Sequence, residues 1–282
     1  MLPQVILNGF VLGGTIALMA TGLTLIFGIL RIVNYWHGEA YMLGAVIFFF
    51  LTETLGLNYV WASLVAISAV GFLGWLTDKA IFFRLHGNLM GGVIATAGLC
   101  MVFQNATWFI FGPRSQQVSP FLTGIISFFG ASVAKERLLI VLASFIVITL
   151  LGWLIRYTKL GRAMRAVQQD SEAALTLGIN VNQTCAFTFG IATGLAALAG
   201  VLIAPLYHVH PTMGVGPLLV AFIVIVLGGM GSIMGALIAS FIIGFQQSIT
   251  ATFWGPEFAT GVSFGLALMM LLFLPRGLMG HD

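Results

Sequence analysis

The side chains able to do chemistry in this chain are few and scattered. His37 and Glu39 lie close together in the segment Arg31 to Glu39 (RIVNYWHGE), and His208 and His210 form a His-x-His pair between Pro205 and Pro211. A zinc site takes three or four ligands. The His-x-His pair has no acidic residue near it, so metal binding is not expected there. Cys100 and Cys185 sit in or beside apolar runs, show no metal-ligand spacing, and read as small buried hydrophobes. No nucleophile stands beside a base, so an intramembrane enzyme is not expected. His37 and Glu39 could titrate. Glu39 could equally serve a helix start, where a negative charge is favoured.

The densest polar chemistry is instead in Thr158 to Asn182, TKLGRAMRAVQQDSEAALTLGINVN. It holds Lys159, Arg162, Arg165, Asp170 and Glu172, five of the nineteen charged side chains. Asp170 or Ser171 can cap a helix N-terminus by accepting from orphan amides. Glu172 then falls in the first turn, where the helix dipole favours it. Ala173, Ala174, Leu175 and Leu177 make an apolar patch, and Gly178 suits the position just past the helix end. The pattern predicts a capped helix of about two turns, about 11 Å long. Before it, Gly161 to Val167 predicts another short helix carrying Arg162 and Arg165. Two readings of the stretch stand open on composition: a rigid knob for a partner's cleft, or an amphipathic loop lying on a membrane.

The elements that must hold these residues are membrane helices. The chain is 60% hydrophobic and 7% charged, against about 25% charged in a soluble domain. Its mean hydropathy is +1.08. A helix needs roughly 20 apolar residues to cross the hydrocarbon layer. Val5–Leu30, Tyr59–Thr77, Gly87–Gly112, Leu138–Tyr157, Thr184–Tyr207 and Phe258–Leu274 meet that length. Ala40–Thr52 is too short unless the chain is already inside the membrane by Asn34. Pro211–Pro256 has no charge, is too long for one helix, and is broken at Gly228-Gly229-Met230-Gly231. Ser115–Ala134 predicts an external loop with a partly inserted helix. The fold class expected is all-α and polytopic, one transmembrane domain over 1–282 with about eight to nine membrane segments. No positive residue precedes the first apolar run, so no cleavable signal peptide is expected.

Lys and Arg set the orientation. With the N-terminus outside, Arg31, Lys79, Arg84, Arg156, Lys159, Arg162, Arg165 and Arg276 are cytoplasmic, and Arg114, Lys135 and Arg137 are external. The loop at 158–183 and the C-terminus are then cytoplasmic. The basic residues are not clustered for nucleic acid. Two Gly-interrupted segments in the two halves of a chain are a pointer to a transport path. Here they are Gly28–Gly38 and Leu227–Ser232, each leading into a small-residue helix start. Asn34, His37, Gly38, Glu39, Gly228, Gly229 and Gly231 are the pathway candidates. The alternative makes both segments ordinary connections, with Tyr35 and Trp36 as interface anchors.

These residues resemble a known family. Glu172-Ala173-Ala174, three residues and Gly178 match the EAA-x3-G signature of bacterial ABC importer permeases. The longer string Thr158 to Asn182 is similar to that of the branched-chain amino-acid permeases. So are Arg31 to Ala45 (RIVNYWHGEAYMLGA), Val226 to Ala236 (VLGGMGSIMGA) and Leu274 to Gly280 (LPRGLMG). Two departures are visible: Thr188-Phe189-Gly190 stands where Ile-x-Leu-Pro often follows, and Trp36 replaces a small residue, which would narrow a path beside it. The resemblance implies a permease of the bacterial inner membrane. A second related permease chain, two ATPase subunits and a periplasmic substrate-binding protein would be its partners. ATP and Mg would sit on the ATPases; this chain has no G-x4-G-K-[ST]. Gly161, Arg162, Arg165, Asp170, Glu172, Ala173, Ala174 and Gly178 would couple the ATPases to the membrane helices. The implied cargo is a branched-chain or other aliphatic amino acid, with urea or short amides as the alternative. An ion-coupled transporter or channel is the rival class. It usually needs ionisable residues inside the membrane, and Glu53, Asp78 and Glu257 all fall near span ends.

Overall fold

Apolar runs of membrane length must satisfy their backbone internally, and helices do so. The computed structural model, which describes residues 2–85, 88–128, 131–274 and 277–279, is accordingly helical. Seven helices are long and apolar enough to cross a membrane. They are α1 (Leu2–Leu30), α3 (Tyr59–Ala80), α4 (Leu89–Phe111), α5 (Lys135–Tyr157), α8 (Val181–Ile203), α10 (Ile233–Phe253) and α11 (Pro256–Phe273). Two shorter apolar helices, α2 (Trp36–Phe49, extended by a π-helical turn Phe50–Thr54) and α9 (Val215–Gly228), lie among them. The charged stretch forms α6 (Lys159–Gln169) and α7 (Ser171–Thr176).

α1, α2 and α8 form the buried centre, while α4, α5 and α11 are largely exposed on the outside. Close approach there depends on small residues, as expected in lipid. A Cβ on Gly44 would press on the Ala197 backbone, joining α2 to α8. α1 and α10 meet through Gly13 and Gly244, and Ser248 donates to the Val5 carbonyl at 2.7 Å.

The segment before α5 departs from expectation. Where a partly inserted helix was predicted over Phe121–Ala134, strands β1 (Ile125–Phe128) and β2 (Ala131–Ala134) pair antiparallel, Ile125 opposite Ala134. Ile125, Ile126 and Val133 are β-branched and suit a pleated surface. Gln116 and Val209 also exchange both backbone hydrogen bonds, at 2.9 and 2.8 Å, tying this segment to the chain after α8. Arg276, Pro275, Gly280 and Gly87 lie outside the described residues.

Candidate functional site

The first break lies at membrane depth. α1 ends at Leu30, and Arg31 takes a left-handed conformation with φ 54°. From there the chain does not emerge. His37 Nε2 lies 3.1 Å from the Met19 carbonyl, and Met19 is about 16 Å back along α1 at 1.5 Å per residue. The five residues from Arg31 to Tyr35 therefore climb beside α4. A Cβ on Gly92 would touch Ile32, and the Thr96 hydroxyl donates to the Val33 carbonyl at 3.2 Å. The Cys100 thiol donates to Glu39 Oε1 at 3.2 Å. Non-helical backbone at such depth must be buried in protein or reached by water; Ile32, Asn34, Trp36 and His37 are all buried.

Three sequence expectations change here. Trp36 is no interface anchor. It is fully buried and stacks on Phe189 with centroids 5.9 Å apart, beside Phe103. Its bulk is absorbed by an aromatic cluster. Glu39 stands in the first turn of α2, the helix-start position expected of it, but it is buried inside the bundle, so charge is not confined to the span ends. Cys100 likewise is a hydrogen-bond donor rather than an inert hydrophobe. Several buried atoms at this break find no hydrogen-bond partner among the described residues: Asn34 Nδ2 and Oδ1, Trp36 Nε1, His37 Nδ1 and Glu39 Oε2. A group of this kind costs about 1–3 kcal/mol when it is left unpaired in a dry interior.

α9 also starts at depth. The residue preceding it, Gly214, packs so closely on Gly38 that a Cβ on Gly214 would meet the Gly38 carbonyl. The N-terminal ends of two short helices thus meet inside the bundle, a geometry that favours anions. A cavity of about 310 Å³ opens beside this point, lined by Met19, Tyr41, Tyr207, Met213, Gly216 and Gln247 among others. Its lining includes His208 and His210 but none of Asn34, His37, Gly38, Glu39, Gly228, Gly229 or Gly231. His210 Nδ1 lies 3.1 Å from the Thr212 hydroxyl. No three His, Cys, Asp or Glu side chains come together among the described residues.

The second break lies at the other end of α9, not in the bundle centre. Gly229 and Gly231 have φ 98° and 88°, and Gly228 packs directly on Gly235. The chain after α11 covers this turn: Leu278 N–H donates to the Leu227 carbonyl at 2.9 Å and Met279 N–H to the Gly228 carbonyl at 3.0 Å. These bonds satisfy carbonyls that the end of α9 would otherwise orphan.

The charged stretch is a jointed pair of helices. Thr158 caps α6, accepting from Gly161 N–H at 3.0 Å and donating to the Leu154 carbonyl at 2.6 Å. A Cβ on Gly161 would collide with the Leu154 and Ile155 carbonyls, and Arg165 Nη1 donates to Ile155 O. Met164 and Val167 face inward, and Arg162 faces outward. Asp170 then caps α7, accepting from Glu172 N–H and Ala173 N–H at 2.9 and 3.0 Å. At the far end Gly178 takes φ 78°, its N–H bonds Leu175 O, and Ile179 N–H bonds Ala174 O. That is a Schellman closure. Only Ala174 is buried; Leu175 and Leu177 are 57% and 78% exposed, and Glu172 and Ala173 are exposed too. A cavity of about 360 Å³ lined by Arg31, Asn88, Val167, Ser171 and Cys185 lies between this unit and the first break. Sequence reasoning did not single out the cavity-lining Tyr41, Tyr207 and Gln247: Tyr41 lies within the Arg31 to Ala45 segment but carries no charge to mark it, and the other two fall in no motif.

A family model described as "Branched-chain amino acid transport system / permease component" matches residues 5–274. The chain is 33% identical to the high-affinity branched-chain amino acid transport system permease protein LivH of Escherichia coli K12, over 99% of this chain and 95% of that one. It is 33% identical to the corresponding protein BraD of Pseudomonas aeruginosa, with the same coverage. Against LivM of Escherichia coli K12 the identity is 26%, over 93% of this chain and 67% of that one. Among solved structures, PsaBC from Streptococcus pneumoniae in complex with Fab aligns with a TM-score of 0.52 at 13% identity, covering 98% of this chain and 92% of that chain. That likeness speaks to the fold.

Proposed function

The chain belongs to the family of permease components of branched-chain amino acid transport systems, and from that premise we propose that it is a membrane-spanning subunit of an ATP-driven importer. Its cargo is a branched-chain or other aliphatic amino acid delivered by a periplasmic binding protein. Two ATPase subunits supply the work, and ATP and Mg bind there. A second, related permease completes the path, a reading supported by the similarity of this one chain to both LivH and LivM of one organism.

The observation that carries this reading is α7. It is capped at both ends and presents Leu175, Leu177 and Glu172 outward. An exposed apolar patch on a rigid element fits insertion into a partner. Arg162 and Arg165 flank it on α6. The orientation proposed puts this unit and the C-terminal segment in the cytoplasm, because Arg31, Lys79, Arg84, Arg156, Lys159, Arg162 and Arg165 lie at that end. The cargo's path runs past the meeting of α2 and α9. Its carboxylate faces the Gly216 amide at the N-terminal end of α9, and its side chain lies in the apolar part of the cavity. The first break, with Asn34, His37, Gly38 and Glu39, shifts as the path opens. Gly228, Gly229 and Gly231 form the turn that lets α9 and α10 move.

A second reading has one observation in its favour. Glu39 is an ionisable group inside the membrane layer, as ion-coupled carriers use. Competition separates cargo classes and purification separates engines. Uptake by the assembled complex is expected to be blocked by excess leucine or valine and not by urea or acetamide. The chain purified alone is expected to hydrolyse no ATP. Blockage by urea would reassign the cargo, and hydrolysis that tracks the pure chain would overturn the division of labour.

A further inference from the structure

We propose that Gln168 is the positioning residue through which the α6–α7 unit moves both breaks together. The proposal rests on the docking reading of α7 given above.

Gln168 lies on the last turn of α6, half-buried, just before the Asp170 cap of α7. Its Nε2 donates to the Gly231 carbonyl at 3.0 Å. A Cβ built on Gly28 would lie 3.1 Å from the same nitrogen and 3.4 Å from Gly231 Cα. Three elements therefore meet at one point: the end of α1 leading into the first break, the turn of the second break, and the end of α6. Glycine at 28 and 231 lets the backbones touch without a side chain between them. Among the described residues, no other side-chain hydrogen bond runs from α6 or α7 to either break.

The rest of the geometry makes this contact a lever. α6 is pinned at its start, where Gly161 sits on the Leu154 and Ile155 carbonyls and Thr158 bonds Leu154. From that pivot to Gln168 is about 10 Å of helix. A push on α7 tilts the far end of α6, and the Gln168 amide carries the displacement to Gly231 and Gly28. Leu227 and Gly228 are held from elsewhere by the Leu278 and Met279 amides. Motion at Gly231 against that fixed side alters the α9–α10 turn itself.

The test uses the complete transporter, with its ATPases, second permease and binding protein, in proteoliposomes. Amino acid imported per ATP hydrolysed is the readout. Gln168→Glu keeps size but offers no donor to the Gly231 carbonyl; it is expected to assemble, to hydrolyse ATP, and to import about tenfold less per ATP. Gln168→Lys, which keeps a donor of similar reach, is expected to stay within about threefold of wild type. Glu172→Lys runs alongside as a docking control. An unchanged ratio in Gln168→Glu overturns the proposal, as does equal loss of assembly in both Gln168 variants. If Glu172→Lys uncouples while Gln168→Glu does not, only the role of Gln168 fails. If Glu172→Lys is also silent, the docking reading fails with it.

Discussion

A transporter carrying Glu172→Lys and Leu177→Asp in this chain is expected to lose about a hundredfold or more of its ATP-driven uptake while still folding and inserting. Both side chains face outward, Leu177 at 78% exposure, and the Glu172 carboxylate makes no side-chain hydrogen bond among the described residues. Their replacement therefore removes little from the fold. The internal costs are a positive charge at the start of α7 and a negative one at its C-cap, each worth about 0.3–1 kcal/mol. At an interface the same two positions matter more. Buried anchor residues contribute about 2 kcal/mol or more each, and every 1.4 kcal/mol is tenfold. Co-purification of the ATPases with tagged chain reads the docking, and labelled amino acid uptake reads the consequence. A double variant that pulls down its ATPases and transports like wild type would refute the role given to α7.

Gly228→Val is expected to act through the fold instead. A valine Cβ there would meet the carbonyl carbon and oxygen of Gly235 and lie 2.6 Å from Ala236 N. These are backbone atoms and cannot rotate away, so α9 and α10 must part at their turn. Overpacking of this kind costs about 1–3 kcal/mol. Separation also strains the Leu278–Leu227 and Met279–Gly228 hydrogen bonds, each worth about 1 kcal/mol. At about 2–4 °C per kcal/mol, the midpoint in a thermal melt should fall by about 10 °C. Uptake should be undetectable. Gly152→Ala is the control: its Cβ would meet nothing within 4 Å, and it should melt like wild type. A Gly228→Val chain with unchanged melting and uptake would show that the α9–α10 turn tolerates opening.

Much of this architecture can be read from composition because the bilayer imposes a length. Tyr59–Thr77 and Leu138–Tyr157 lie within the helices Tyr59–Ala80 and Lys135–Tyr157. Caps are equally legible, since they depend on neighbours in sequence. Asp170 and Gly178 fall where their chemistry predicts. What fails is anything set by distant contacts. Phe121–Ala134 has helix-compatible apolar content, but pairing across a hairpin decides it. The depth of Asn34, His37 and Glu39 is fixed by α4 and α1, through Thr96, Cys100 and Met19. No local pattern encodes that climb. Trp36 looks like an anchor until Phe103 and Phe189 are placed around it. Gln168 and Gln169 read alike in sequence; one helical step turns the first toward Gly231 and the second outward.

Nucleotide dependence tests the central claim most directly. Labelled leucine uptake is measured in proteoliposomes holding the full complex or this chain alone, with ATP or with ADP on the cytoplasmic side. Uptake is expected only from the full complex with binding protein and ATP. Uptake that persists with ADP, or in vesicles holding this chain alone under an ion gradient, would contradict the account and assign Glu39 to ion coupling.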